Sequence, residues 1–274
     1  MKSLAILPIL MAVAACGGGA SMTEIPPVIA TGAPPATLAD LAGTPIPFRA
    51  VTIEHNGENY DFARQTLGIE VISATAVELV LPQGRVPLSF DPASGAFVGS
   101  ADGINYSMRT LNSGFDYSEG LNLTTLDDDG QFGGALGYFG LEAPQSRLSD
   151  LQATGATGSY TGESFIVVQE GGSIHEHFGT SSLGVDFASG AVDGTIYQSA
   201  TRGVDLVGGS INGNVISGGM TLSGADFAGF DLQSGGLQAQ LYGLDANELH
   251  GTFIGDGNGP AGDFQVMGTV TALD

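Results

Sequence analysis

The sequence predicts an all-β protein whose most regular part, an eight-stranded antiparallel β-barrel, occupies the C-terminal half. Three observations predict it. Glycine is abundant, at 44 of 274 residues with 12 prolines, and runs free of both are short, which disfavours long helices. From about residue 154 onward, short segments of alternating polar and apolar residues recur, separated by Gly, Asn, Asp and Ser. Their spacing of roughly 10–15 residues is the hairpin rhythm of a sandwich or barrel. Glycines also fall inside these segments, at Gly194, Gly218, Gly251 and Gly268, where a sheet must bend sharply to close.

The chain opens with Lys2, an apolar run from Leu4 to Val13 broken only by Pro8, and small Ala14 and Ala15 before Cys16. Residues 1–15 therefore read as a secretory signal peptide. The run is too short for a transmembrane helix, which needs about 20 apolar residues. Residues 16–44 are rich in Gly, Ala, Pro and Thr, with Pro26-Pro27, Pro34-Pro35, Pro45 and Pro47 in or just beyond them. They read as a tether.

Residues 45–150 predict a smaller, irregular β-rich domain. Its β segments fall at 48–55, 69–81, 86–90, 96–99, 105–110 and 138–141, with 74–81 open to a short helix instead. Asn56-Gly57, Asp91-Pro92 and Asp102-Gly103 mark turns, and Asp127-Asp128-Asp129-Gly130 an acidic loop. Residues 151–274 hold the predicted barrel, with segments at 158–169, 173–178, 184–188, 191–198, 204–211, 215–222, 236–242, 249–254 and 263–271. Within the last, Phe264, Val266 and Val270 share one face, and Asp263, Gln265 and Thr269 the other. Leu237, Ala239 and Leu241 alternate in the same way with Gln238 and Gln240. One apolar and one polar face is what an antiparallel sheet in water requires.

The net charge is −22. Removing Lys2, the only lysine, with the signal leaves six arginines against 29 acids, or −23. This balance argues against nucleic acid binding, which needs basic side chains to displace counterions, and against electrostatic docking on anionic lipid heads. The acidity fits either a cationic partner drawn in by steering or a saline habitat. Cys16 is the single cysteine, so the core forms without an internal disulfide.

Val13-Ala14-Ala15-Cys16 resembles the lipobox of bacterial lipoproteins. The resemblance implies that Cys16 is acylated, becomes the first mature residue and holds the protein on a membrane; Gly17 after it resembles the outer-membrane class. Two further stretches carry a family likeness. One is Gly184-Val-Asp-Phe-Ala-Ser-Gly-Ala-Val-Asp-Gly-Thr-Ile196. The other is His250-Gly-Thr-Phe-Ile-Gly255 with Pro260-Ala-Gly-Asp-Phe264 and Gly268-Thr-Val270. They resemble the C-terminal barrel of transferrin-binding protein B, a family of surface lipoproteins built as a β-rich handle followed by an eight-stranded barrel. The likeness covers roughly residues 154–274 and implies a single handle-plus-barrel lobe. It also implies a soluble barrel filled by side chains, with binding left to loops and handle.

The candidate ligand-binding residues are His175 and His177, two apart and so on one face of a strand, with Glu176 pointing away. Such a pair suits a metal or haem iron; the alternative is a solvated hairpin. Gly257-Asn-Gly259-Pro-Ala-Gly262 matches a dinucleotide fingerprint, but Pro260 and the β pattern after it predict a hairpin turn. Asp127–Asp129 and Asp256 lack calcium-loop spacing. There is no G-x-S-x-G and no H-E-x-x-H. No catalytic residue, metal or cofactor is assigned, and a non-enzymatic role is expected. The expected protein is an outer-membrane, lipid-anchored binding protein. It would capture an iron- or haem-related ligand or carrier protein, and a TonB-dependent receptor is a possible partner. A structural or accessory envelope lipoprotein is the alternative.

Overall fold

A computed structural model describes residues 43–274, apart from 44, 56–59 and 112–114. The signal peptide, Cys16, nearly all of the tether and the Asn56-Gly57 turn lie outside the described residues.

The described residues form sixteen strands in two closed eight-stranded barrels. The first comprises β1 (Pro45–His55), β2 (Tyr60–Ser73), β3 (Ala76–Leu81), β4 (Gly84–Asp91), β5 (Ala96–Ala101), β6 (Ile104–Leu111), β7 (Ser118–Asp127) and β8 (Phe132–Gly140). A helix, α1 (Gln145–Thr154), follows. The second barrel comprises β9 (Thr157–Glu170), β10 (Ser173–Asp186), β11 (Ala191–Gln198), β12 (Gly203–Asn212), β13 (Val215–Ser223), β14 (Asp231–Tyr242), β15 (Glu248–Gly259) and β16 (Gly262–Leu273). Each strand pairs antiparallel with the next. β8 closes on β1, and β16 closes on β9 over Phe264–Leu273. Closure removes the free edges that invite aggregation.

The expected description of one barrel behind an irregular handle is thus corrected: the first unit is itself a closed eight-stranded barrel. Ala76–Leu81 is strand, not helix, and a turn at 74–75 precedes it, so the segment expected at 69–81 is the end of β2 and the whole of β3. In the second barrel, the segments expected at 173–178 and 184–188 are one strand, β10, with a bulge between Thr180 and Ser182. This reduces nine segments to eight strands. Pro260-Ala261 forms the turn between β15 and β16, with Gly259 paired to Gly262. The Gly257–Gly262 pattern is a hairpin with no helix after it.

The second barrel is packed with its own side chains. Ile166, Val168, Leu183, Ile196, Val204, Ile216, Leu237, Leu249, Phe253 and Val266 point inward and are buried. Space is tight enough to dictate glycine. A Cβ on Gly268 would lie 2.2 Å from the Phe165 carbonyl and 2.3 Å from the Phe253 ring, so only glycine lets that ring in. One end is plugged by α1, whose Leu148 joins the core. Beside the plug, buried Tyr160 donates its hydroxyl to the Ala246 carbonyl at 2.5 Å. α1 begins after Pro144 and ends at Gly155, whose positive φ of 66° and N–H to the last carbonyls close the helix.

The barrels join wall to wall. Val51, Ile53 and Phe62 of the first pack against Val167 and Met267 of the second, each burial contributing roughly 1.5–3 kcal/mol. The linker is stitched to the second barrel as well. Ala143 N–H donates to the Leu241 carbonyl at 2.9 Å, and Gly243 N–H to the Leu141 carbonyl at 3.0 Å.

Candidate functional site

Cross-strand pairing positions the two candidate histidines. On β10, His175 lies opposite Val168 and His177 opposite Ile166. Both partners face the second barrel's interior, so both histidines stand on the inward-facing side, near the end that α1 does not plug. The alternation puts Glu176 on the outer side, opposite Val167. His175 is exposed and His177 half-buried.

His177 is engaged by a cation. Its Nδ1 lies 3.4 Å from Arg202 Nη1, and Nε2 is buried without a partner. Burial, the Arg202 charge and His175 together hold the ring's pKa below the ordinary histidine value, so it stays neutral. Arg202 in turn pairs with Asp226 at 2.8 Å, and Thr201 donates to the same carboxylate at 2.9 Å. This network ties the β11–β12 loop to the β13–β14 loop. A metal held by both rings would have to displace Arg202. Among the described residues no three His, Cys, Asp or Glu side chains converge as a metal site.

Aromatic side chains close this mouth. Phe227 is buried in the core, and Phe230 packs edge-on against Phe227 and Phe264. Ala261 N–H donates to Glu170 Oε1 at 2.7 Å, pinning the last hairpin across the first. A ligand would therefore meet loops and outer wall rather than the barrel interior. On the outer side of β10, Phe178 is 82% exposed, the largest exposure among the described large apolar residues, with its ring against Phe165 at 5.0 Å.

A second polar cluster lies in the seam between barrels and was not foreseen as a site. Glu248 accepts N–H bonds from Asp116 at 2.7 Å and Tyr117 at 3.0 Å, and the Ser118 hydroxyl at 2.6 Å. Ser118 Oγ also contacts His250 Nε2. The imidazole stacks on Tyr138 at 4.4 Å and meets Phe115 and Tyr242 edge-on. Burial alone drives the His250 pKa down to about 3. For Glu248, burial outweighs its hydrogen bonds and raises the pKa above the usual glutamate value. A serine, a histidine and a glutamate in contact suggest a nucleophilic triad, but the order is wrong. The serine sits between acid and imidazole, so nothing orients the ring as a base. All three side chains are at most 6% exposed, out of reach of a substrate. Nearby, Arg49 pairs with Glu142 at 2.6 Å, and Asn214 donates to the same carboxylate at 2.6 Å. This cluster fastens one barrel to the other.

The acidic loop is a turn. Asp127 Oδ1 accepts N–H bonds from Asp129 at 3.0 Å and Gln131 at 2.8 Å, which is the self-capping of an Asx turn.

Two closed barrels, the second filled by its own core and the two joined through a buried seam, define a double-barrel lobe. The second barrel carries the family signature. Residues 150–272 match the family described as the C-lobe and N-lobe beta barrels of Tf-binding protein B, and the chain carries a TbpB-like β-barrel lobe. Two solved structures of the vaccine antigen transferrin binding protein B from Haemophilus parasuis Hp5 share its fold. One, a double mutant, aligns with a TM-score of 0.53 at 16% identity over 82% of this chain and 44% of that one. The other, a single mutant, gives 0.51 at 16% identity over 82% and 45%. The chain thus spans less than half the length of the structures it matches. No curated protein matches it.

Proposed function

We propose that this chain is a lipid-anchored, outer-membrane binding lobe of the transferrin-binding protein B type. It presents the loop-bearing mouth of its second barrel to an iron- or haem-related ligand or a carrier protein. The observation that carries the reading is the match of residues 150–272 to the TbpB barrels. Two features of the site support it. The aromatic plug at the mouth favours capture at the surface, and Phe178 is a large exposed anchor of the kind protein interfaces use. Membrane attachment rests on Cys16 and its lipobox-like context, and hand-over to a TonB-dependent receptor on the family likeness.

Pull-down with the anchor-free chain from residue 20 tests the reading, using transferrin-like proteins, haem and haem carriers at micromolar concentration. Capture of any one supports it. Failure of all removes nutrient capture and leaves the structural or accessory envelope lipoprotein. Haem has its own readout: a Soret shift that survives the double change of His175 and His177 to alanine rejects the histidine pair. Cys16→Ser should release the protein from the membrane fraction with its melting curve unchanged; loss of folding would contradict the anchoring role.

A further inference from the structure

The first barrel carries a groove of about 740 Å³ on the outer wall of β5, β6 and β7. It has three notable properties. In a chain with 29 acidic side chains, none of its described lining residues is acidic. Its one charged side chain and its phenylalanine stand at opposite ends. Arg109 and Asn122 are cross-strand partners at one end. Leu126 and Phe132 are cross-strand partners at the other, beside Asn105 and Ser100, and Val98 lies between the ends opposite Ser107. Val98 and Phe132 are among the exposed large apolar residues. Asn122 and Leu126 are four residues apart on one strand face, which separates the ends by about 13 Å.

The third property concerns Arg109. The other described arginines have partners. Arg49 pairs with Glu142, Arg85 with Glu70 and Glu78, Arg147 with Asp245 and Arg202 with Asp226, while Arg64 donates to the Gly236 and Thr252 carbonyls. Among the described residues Arg109 has no carboxylate within 4.0 Å. An exposed guanidinium left free among so many acids, beside a side-chain amide, is suited to a ligand carboxylate held by two N–H donors. The acidic turn at Asp127–Asp129 follows the Phe132 end. It stands more than a screening length of about 8 Å from the guanidinium, so it repels negative charge at that end only.

The geometry points to a binding site for an acidic oligosaccharide. Its terminal carboxylate lies on Arg109 and Asn122, and a neutral sugar ring packs its apolar face on Phe132. The groove length matches on the order of three pyranose rings. The site lies on the first barrel, away from the mouth of the second, and stands or falls independently of the nutrient-capture reading.

Saturation-transfer NMR and calorimetry with the chain from residue 20 test it. The probe is 3′-sialyllactose, which has three rings and one terminal carboxylate, and lactose is the neutral control. Sialyllactose should bind at least tenfold more tightly than lactose, with saturation strongest on the ring distant from the carboxylate. Arg109→Ala and Phe132→Ala should each weaken binding at least fivefold with the melting temperature retained. Three results would overturn the proposal: no transfer to sialyllactose at millimolar concentration, equal binding of lactose, or unchanged binding in a folded Arg109→Ala protein. The lactose comparison uses the unmodified chain, so it decides even if a variant fails to fold.

Discussion

The two barrels share one topology and differ in how they close. The second closes over ten consecutive residue pairs between β16 and β9 and is plugged by a helix. The first closes over six pairs between β1 and β8, and β4 meets β5 over only three. Pro87, which has no N–H, lies in β4 just short of that contact. Inside the first barrel is also an acid. Glu119 follows the inward parity of Leu121 and lies opposite the core residue Phe139. One of its oxygens is buried without a partner, and burial raises its pKa to about 7. The same topology therefore closes over a longer seam in one barrel and over a shorter seam, with a half-buried acid inside, in the other. The barrels should differ in their sensitivity to mutation and in their response to pH.

The largest effect should come from filling the wall where β16 meets β9. Gly268→Ala sets a methyl carbon against the Phe165 carbonyl and the Phe253 ring and should destabilise the chain by about 3 kcal/mol or more. A thermal melt followed by circular dichroism would show it. A loss below 1 kcal/mol would mean that the β16–β9 wall yields to the methyl group.

Next is the seam. The His250 pKa falls from 6.5 in the unfolded chain to about 3 in the folded one. Between those values the unfolded chain binds the extra proton and the folded chain does not. Stability is therefore lost as pH falls from about 6.5 towards 3, by up to ~1.4 kcal/mol per pH unit for this group. Denaturant midpoints at pH 7, 5.5 and 4 should show the slope, and His250→Gln should flatten it.

Glu119 should respond in the opposite sense. Its folded pKa of about 7 exceeds the ordinary 4.5, so the folded chain holds the extra proton and stability is lost as pH rises through that window. Glu119→Gln should stabilise the protein at pH 8 by ~1–2 kcal/mol, the gain being limited by solvent at the partly exposed carboxyl. At pH 4 it should change little. A stabilisation equal at both pH values would place the carboxyl outside the barrel's interior.

The smallest effect concerns the join. Arg64 spans the barrels by donating to two backbone carbonyls. Arg64→Ala should cost about 1 kcal/mol, read as faster hydrogen exchange at the β14–β15 amides.

The second barrel was legible because its strands alternate cleanly and its turns use Gly, Asn, Asp and Pro. The first barrel was not, for reasons that its strands show. β2 runs for 14 residues but carries Arg64, Gln65 and Thr66 in mid-strand. β7 alternates Leu121 and Leu123 with Asn122 and Thr124, a pattern easily taken for loop beside the acidic turn. α1 offers only Leu148 as a buried residue, too little for a helical period to stand out. The seam could not be read locally, because Ser118 and His250 are 132 residues apart. His175 and His177 share one face of β10, but nothing in their local pattern points to Arg202, 25 residues beyond His177, as the group that stands against it.

Exposed phenylalanines on the two barrels provide the most direct test of the binding account. Phe178 flanks the mouth of the second barrel, whereas Phe90 is exposed on the first and packs edge-on against Phe97. The measurement is biolayer titration of the anchor-free chain against whichever carrier protein the pull-down captures. Phe178→Ala should weaken binding at least tenfold and Phe90→Ala less than twofold. Equal effects of the two changes, or none from Phe178→Ala in a folded protein, would contradict a binding face at the mouth of the second barrel.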